Sequence, residues 1–135
     1  VTRAAAPHLA AAAKTGGGAS IVNLSSIAGR KGGRPGSLAY STAKGAVLTF
    51  TRALAIELGP QGIRVNALAP GLILGTEFHA THTPPAAARA AVAEIPLGRA
   101  GNPDDVARAA VFLAAEFDGF TTGATLDING GVYAC

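Results

Sequence analysis

An α/β fold with a parallel sheet is what this sequence predicts, and two observations predict it. Short apolar runs alternate with helical stretches in the order helix, strand, helix, strand, helices, strand. Helices placed between successive short strands imply right-handed crossovers, and those join parallel neighbours.

Each element has its own local reason. Residues 1–14 are Ala-rich and read as a helix, closed by Lys14 and the run Gly16-Gly17-Gly18. Pro7 lies inside it and predicts a kink or a second start. Residues 19–25, ASIVNLS, read as a buried strand with β-branched content. Residues 29–37, GRKGGRPGS, read as a Gly/Pro-rich loop. A long helix follows over 38–58, its apolar stripe marked by Val47, Phe50, Leu54 and Leu58 at three- and four-residue spacing. Gly59-Pro60 ends it. Residues 63–68, IRVNAL, form the second strand, stopped by Pro70-Gly71. Residues 72–83 read as a loop, and a Pro pair begins a short helix over 84–93. After a turn at 96–102, Asn102 caps a helix that opens on Pro103, Asp104 and Asp105 and runs to about residue 115. Residues 125–128 are the third strand, followed by Gly130-Gly131. No repeat or internal linker interrupts residues 1–135, which read as one piece of a single domain.

Composition narrows the function classes. The chain has 135 residues, is 49% apolar and only 14% charged, which argues for an ordered core. A net charge of +3 with scattered basic residues and few aromatics does not make a phosphate-tracking surface, so no nucleic-acid partner is expected. Apolar stretches are interrupted well before the ~18 residues that a spanning helix needs, so no membrane segment is expected. No signal peptide is visible. The single cysteine, Cys135, allows no internal disulfide, which fits a reducing, cytoplasmic setting. The chain opens without Met, directly in a helical run, and reads as part of a larger protein.

The residues with chemistry cluster around the second helix. Tyr40 and Lys44 are four apart, which places them on one helical face a turn apart. Free tyrosine, with a pKa near 10, is a poor base at neutral pH; a cation held close favours the phenolate and makes the pair a general acid/base. A Tyr-x-x-x-Lys spacing alone also fits a solvated helix face. Its context adds weight. The strand upstream ends in Ser25-Ser26, and the strand downstream ends at Pro70-Gly71. Open α/β sheets place active-site groups at the C-terminal ends of their strands.

On these motifs the sequence resembles the short-chain dehydrogenase/reductase family, particularly its 3-oxoacyl-carrier-protein-reductase-like members. The stretches SIVNLSSIAG (20–29), YSTAKGAV (40–47), FTRALAIELGPQGIRVNALAPG (50–71), IPLGRAGNPDDVARAAVFLA (95–114) and TTGATLDINGG (121–131) carry the resemblance, in the family's order. It implies the C-terminal half of a Rossmann-like, doubly wound parallel sheet in a three-layer α/β/α domain. The implied reaction is hydride transfer between NAD(P) and a ketone or secondary alcohol, such as a 3-oxoacyl thioester. Tyr40 would be the general acid/base, Ser26 would hold the carbonyl oxygen, and Lys44 would assist Tyr40 and bind the nicotinamide ribose. Pro70 and Gly71 would wall the nicotinamide pocket, with the Ile73 backbone and the Thr76 hydroxyl meeting the carboxamide. The resemblance also implies a homo-oligomer, dimer or tetramer, assembled through the long helix and the last strand. It places the first strand at the centre of the parent sheet, so its edge should be open in this chain, with a tendency to aggregate.

The departures from the family pattern sit mainly at the front. The glycine-rich nucleotide loop, the ribose-selecting position and the Asn-Asn-Ala-Gly motif have no counterpart in residues 1–135. The loops 26–40 and 70–76 each look one residue longer than usual. Gly16-Gly17-Gly18 cannot replace the nucleotide loop, because it precedes a strand instead of linking a strand to a helix N-terminus.

Other polar residues have plainer readings. His79 and His82 have no third ligand in pattern, so no metal is expected; the resemblance places this stretch in the family's substrate loop, which makes Phe78, His79 and the Pro84-Pro85 hinge specificity candidates. His8 reads as a surface residue, Arg99 and Asp104 as part of a capped helix start, and Asp127 and Asn129 as polar partners at an edge or interface. Two function classes stay open at this point: an oxidoreductase whose catalytic half this is, the fragment alone being inactive, or a non-catalytic assembly or binding module.

Overall fold

A computed structural model describes residues 1–16, 18–115 and 119–134; the expectations for Gly17 and Cys135 lie outside the described residues. The elements in chain order are α1 (Thr2–Lys14), β1 (Ala19–Leu24), α2 (Ala28–Lys31), α3 (Leu38–Leu58), β2 (Ile63–Pro70), α4 (Glu77–His82), α5 (Pro85–Ala93), α6 (Pro103–Ala114) and β3 (Thr125–Ile128), with a 3-10 turn at Gly59–Gln61. The three strands form one parallel sheet in the order β1-β2-β3. Ile21 pairs with Val65 and Ala69 with Asp127, so the strand ends Leu24, Pro70 and Ile128 gather on one rim.

Alternation along β2 sorts the layers. Ile63 and Val65, 1% and 0% exposed, point to one face, where they meet Leu54, Ala55 and Leu58 of α3 and Ala6, Leu9 and Ala10 of α1. Burying such side chains is worth roughly 1.5–3 kcal/mol each. On the opposite face Arg64 donates to the carbonyls of Leu113 and Ala115, holding the C-terminal end of α6, and to that of Thr121. Asn66, fully buried, donates to Thr121 O and accepts from Ala124 N, and so sets the approach to β3. Helices on both faces of a parallel sheet make the three-layer α/β/α arrangement.

Several expectations change. The strand β1 is half-buried instead of buried: Ala19 and Ile21 pack against the core, and Leu24 is 54% exposed. As expected, it has β2 on one side only among the described residues, so its outer edge is open. The buried stripe of α3 is Leu48, Thr51, Leu54, Ala55 and Leu58, whereas Phe50 is 48% exposed. Thr51 enters the core because its hydroxyl is satisfied, donating to Val47 O and accepting from the Asn23 amide of β1. The helix α1 runs through Pro7 without a second start. The 72–83 segment is not all loop, because α4 forms within it. A short helical turn, α2, likewise stands at the start of the 29–37 loop. The strand β2 extends to Pro70, whose carbonyl accepts from Ile27 N.

Candidate active site

The site is built on the β1–α3 corner. Beyond Leu24 the chain still follows β2, with Ser25 N donating to Leu68 O and Ile27 N to Pro70 O. The Ser25 hydroxyl donates to Lys44 O at 2.7 Å, tying the strand end to the first turns of α3. Gly29 then lies directly on α3: a Cβ there would come within 2.6 Å of the Lys44 carbonyl carbon. Gly45 makes the same seam from the other side, where a Cβ would stand 3.3 Å from Gly29 O. Backbone thus touches backbone, which only glycine permits.

This seam sets Ser26 and the Tyr40–Lys44 face on the same rim. Ser26 is 9% exposed, and its Oγ accepts from Ala28 N at 3.2 Å, so its hydroxyl hydrogen remains for another acceptor. Lys44 Nζ lies 5.8 Å from the Tyr40 ring centroid and donates to Leu24 O at 2.9 Å. An ammonium has three donors, so two are left after the Leu24 bond. Tyr40 is 39% exposed on the rim.

The other strand end is equally close-packed. At Gly71 a Cβ would meet Asn129 at 2.9 Å, which holds the end of β2 against β3. Ile73, 7% exposed, bridges Gly101: Gly101 N donates to Leu72 O and Leu74 N to Gly101 O. Alternation turns the N–H of Ile73 away from Gly101. Thr76 caps α4, its Oγ1 accepting from His79 N and donating to Ile73 O, both at 3.4 Å.

α4 brings an aromatic group over this rim. Phe78 stacks on Tyr40 with ring centroids 5.9 Å apart and planes 22° off parallel. It also stacks on His82 at 4.9 Å and meets His79 edge-on at 5.1 Å. His79 Nδ1 pairs with Thr83 Oγ1 at 2.8 Å and His82 Nδ1 with Phe78 O at 2.9 Å. Burial, and secondarily the neighbouring His82, hold His79 below the usual imidazole value. Among the described residues no three His, Cys, Asp or Glu side chains group as metal ligands.

Ser26, Tyr40, Lys44, Pro70, Gly71, Ile73 and Thr76 therefore lie along the C-terminal ends of β1 and β2 and the segments that follow them. Not foreseen were the glycine seam, the Leu24 carbonyl that holds Lys44, and Arg30. Arg30 Nε pairs with Asp127 Oδ1 at 2.8 Å, and its Nη2 donates to Thr125 O, clamping α2 to β3. Asp127 thus has its partner inside the chain, and Asn129 closes the terminal turn through Gly131 N and Tyr133. The N-terminal box of α6 uses Asp105, not Asp104: Asn102 and Asp105 cap reciprocally, and Arg99 and Arg108 pair with Asp105. His8 is exposed.

The profile described as Enoyl-(Acyl carrier protein) reductase matches residues 1–133. The chain belongs to the short-chain dehydrogenase/reductase family. Within the family it is 47% identical over 113 residues to "Acetoacetyl-CoA reductase" of Shinella zoogloeoides, covering 84% of this chain and 46% of that protein. It is 41% identical over 133 residues to "(3R)-3-hydroxyacyl-CoA dehydrogenase" of Canis lupus familiaris, covering 98% and 49%. The solved 3-ketoacyl-(acyl-carrier-protein) reductase of Brucella melitensis complexed with NADH superposes with a TM-score of 0.87 at 37% identity, covering 97% of this chain and 51% of that one. The chain spans about half the length of these family members. No helix among the described residues is long and apolar enough to cross a membrane.

Proposed function

We propose that residues 1–135 are the catalytic and substrate-loop half of an NAD(P)-dependent oxidoreductase acting on a ketone or secondary alcohol, such as a 3-oxoacyl thioester. The observation that carries this reading is the juxtaposition of Lys44 with the Tyr40 ring on a rim it shares with Ser26.

Each group has a defined task. The Ser26 hydroxyl donates to the substrate oxygen and orients the carbonyl. The Tyr40 hydroxyl donates its proton to that oxygen during reduction, and takes it back during oxidation. Lys44, held by Leu24 O, stabilises the negative charge left on the Tyr40 oxygen. The residues present suit the nicotinamide-ribose end of the cofactor: two unused Lys44 donors for ribose hydroxyls, the Pro70-Gly71 wall, the Ile73 N–H and the Thr76 hydroxyl. When bound, NAD(P) supplies or accepts the hydride. The pyrophosphate has no strand–glycine–helix cradle in these 135 residues, so the isolated stretch is expected to bind neither NADH nor NADPH measurably. For the whole protein we propose a cytoplasmic homo-oligomer, dimer or tetramer.

The test is Tyr40→Phe in the full-length protein. Turnover should fall by at least about a hundredfold, the scale of a lost general acid/base, with the circular dichroism spectrum unchanged. Retained turnover would overturn the assignment.

A further inference from the structure

The aromatic group on α4 is more than a neighbour of Tyr40. Tyr40 and Phe78 are 39% and 49% exposed, so their rings present a continuous open surface on the rim. His82 backs Phe78 in near-parallel stacking, and His79 braces it edge-on. The imidazoles are engaged through Nδ1, and what they back is the ring of Phe78. Each Nδ1 is already paired, to Thr83 or to the Phe78 carbonyl, and burial keeps His79 toward its neutral form. A substituent beside the reacting carbonyl therefore meets flat, weakly polar faces. Hydroxyl groups laid against those faces would lose their water without gaining partners.

We propose that Phe78 is the specificity-determining residue of this site, and that it selects carbonyl compounds with a flat or apolar substituent over polyhydroxylated ones. The proposal rests on Tyr40 as the group that meets the carbonyl oxygen, since that places the substituent beside Phe78. The ring supplies contact area to the substituent, and its stacking on Tyr40 fixes how far that area lies from the reacting oxygen. α4 is suited to holding such a ring. It is a six-residue helix capped by Thr76, preceded by Gly75 at φ +79° and followed by Pro84-Pro85, so its ends are set by local backbone geometry.

Two ketones discriminate: acetophenone, flat and apolar, and erythrulose, a polyhydroxylated ketone. Their dissociation constants would be measured by NMR chemical-shift titration on the full-length protein, alongside kcat/KM. Native protein should prefer acetophenone. Phe78→Ala should weaken acetophenone binding on the order of tenfold and change erythrulose by less than about threefold, the scale of a lost apolar contact in a binding pocket. Phe78→Leu, which keeps apolar bulk and guards against a collapsed α4, should recover part of the loss. Equal weakening of both ketones, or none for either, would overturn the proposal. Tyr40→Phe separates it from the underlying reading. That variant should lose turnover yet keep the difference between the two ketones in binding; turnover retained there would overturn the acid/base role, while the binding data would still decide the role of Phe78.

Discussion

Tyr40 is approached from two sides by structures of opposite kind. From the sheet side, the Gly29–Lys44–Gly45 seam presses backbone on backbone, with no side chain between. From the solvent side α4, capped by Thr76, meets it through the stacked ring of Phe78. The first is close-packed and has no slack, since a single methyl would need 2.6 Å where real contacts require well over 3 Å. The second is a short helix with no buried residue of its own. The position of the proposed acid/base and the shape of the surface around it are thus held by separate means, and they should respond differently to mutation.

Breaking the seam is expected to have the largest effect. Gly29→Ala should force α2 off α3, lowering stability by about 1–3 kcal/mol in urea unfolding and reducing kcat of the full-length protein more than it alters KM. A wild-type kcat in that variant would mean the seam does not set the Tyr40 geometry. On the other side, Thr76→Ala removes the cap of α4 and should cost about 1 kcal/mol at most, seen as faster amide exchange in residues 77–82 with β2 unaffected. Thr76→Ser should restore protection.

The smallest effect expected is one of pH. His79 is held below the usual imidazole value by burial and by His82, so its neutral form is the one the docked α4 favours. A group whose folded pKa is lowered contributes stability that is complete above its unfolded value, about 6.5, and is lost as pH falls through the folded one. Acidification below about 6.5 should therefore loosen α4 and leave the seam untouched. An NMR titration of the His79 ring should give a midpoint below that of a histidine in an unfolded peptide. His82→Gln should raise that midpoint only part of the way, because burial, the larger cause, remains.

The same contrast explains what could be read from the sequence. Local signals were legible. Gly59-Pro60 marked the end of α3, Asn102-Pro103 the start of α6, and the spacing of Tyr40 and Lys44 put them on one face. Contacts that depend on partners distant in the chain were not. Phe50 keeps the apolar spacing with Val47 and Leu54 and so was expected to face the core, but Thr51 takes that place because Asn23 of β1 satisfies its hydroxyl. The strand β1 carries the composition of a buried strand but has a neighbour on only one side, and burial depends on neighbours. α4 is too short to show a helical period; its trace was the threonine before Glu77, a capping residue without an apolar run behind it. Phe78 could be suspected from its loop, but its stacking on Tyr40, 38 positions away, required the fold. Arg30 and Asp127, on α2 and β3, have no local signature of their pairing.

The glycine seam has a consequence for how such a protein can change. Gly29 and Gly45 act as a spacer of zero thickness, a gauge that sets the depth of Tyr40 on the rim. A gauge of that kind cannot be adjusted in small steps, because the next available size is already too large. A lineage altering its substrate would leave position 29 blank and do its tuning on α4, where exchanging one ring for another reshapes the surface without moving the proton donor.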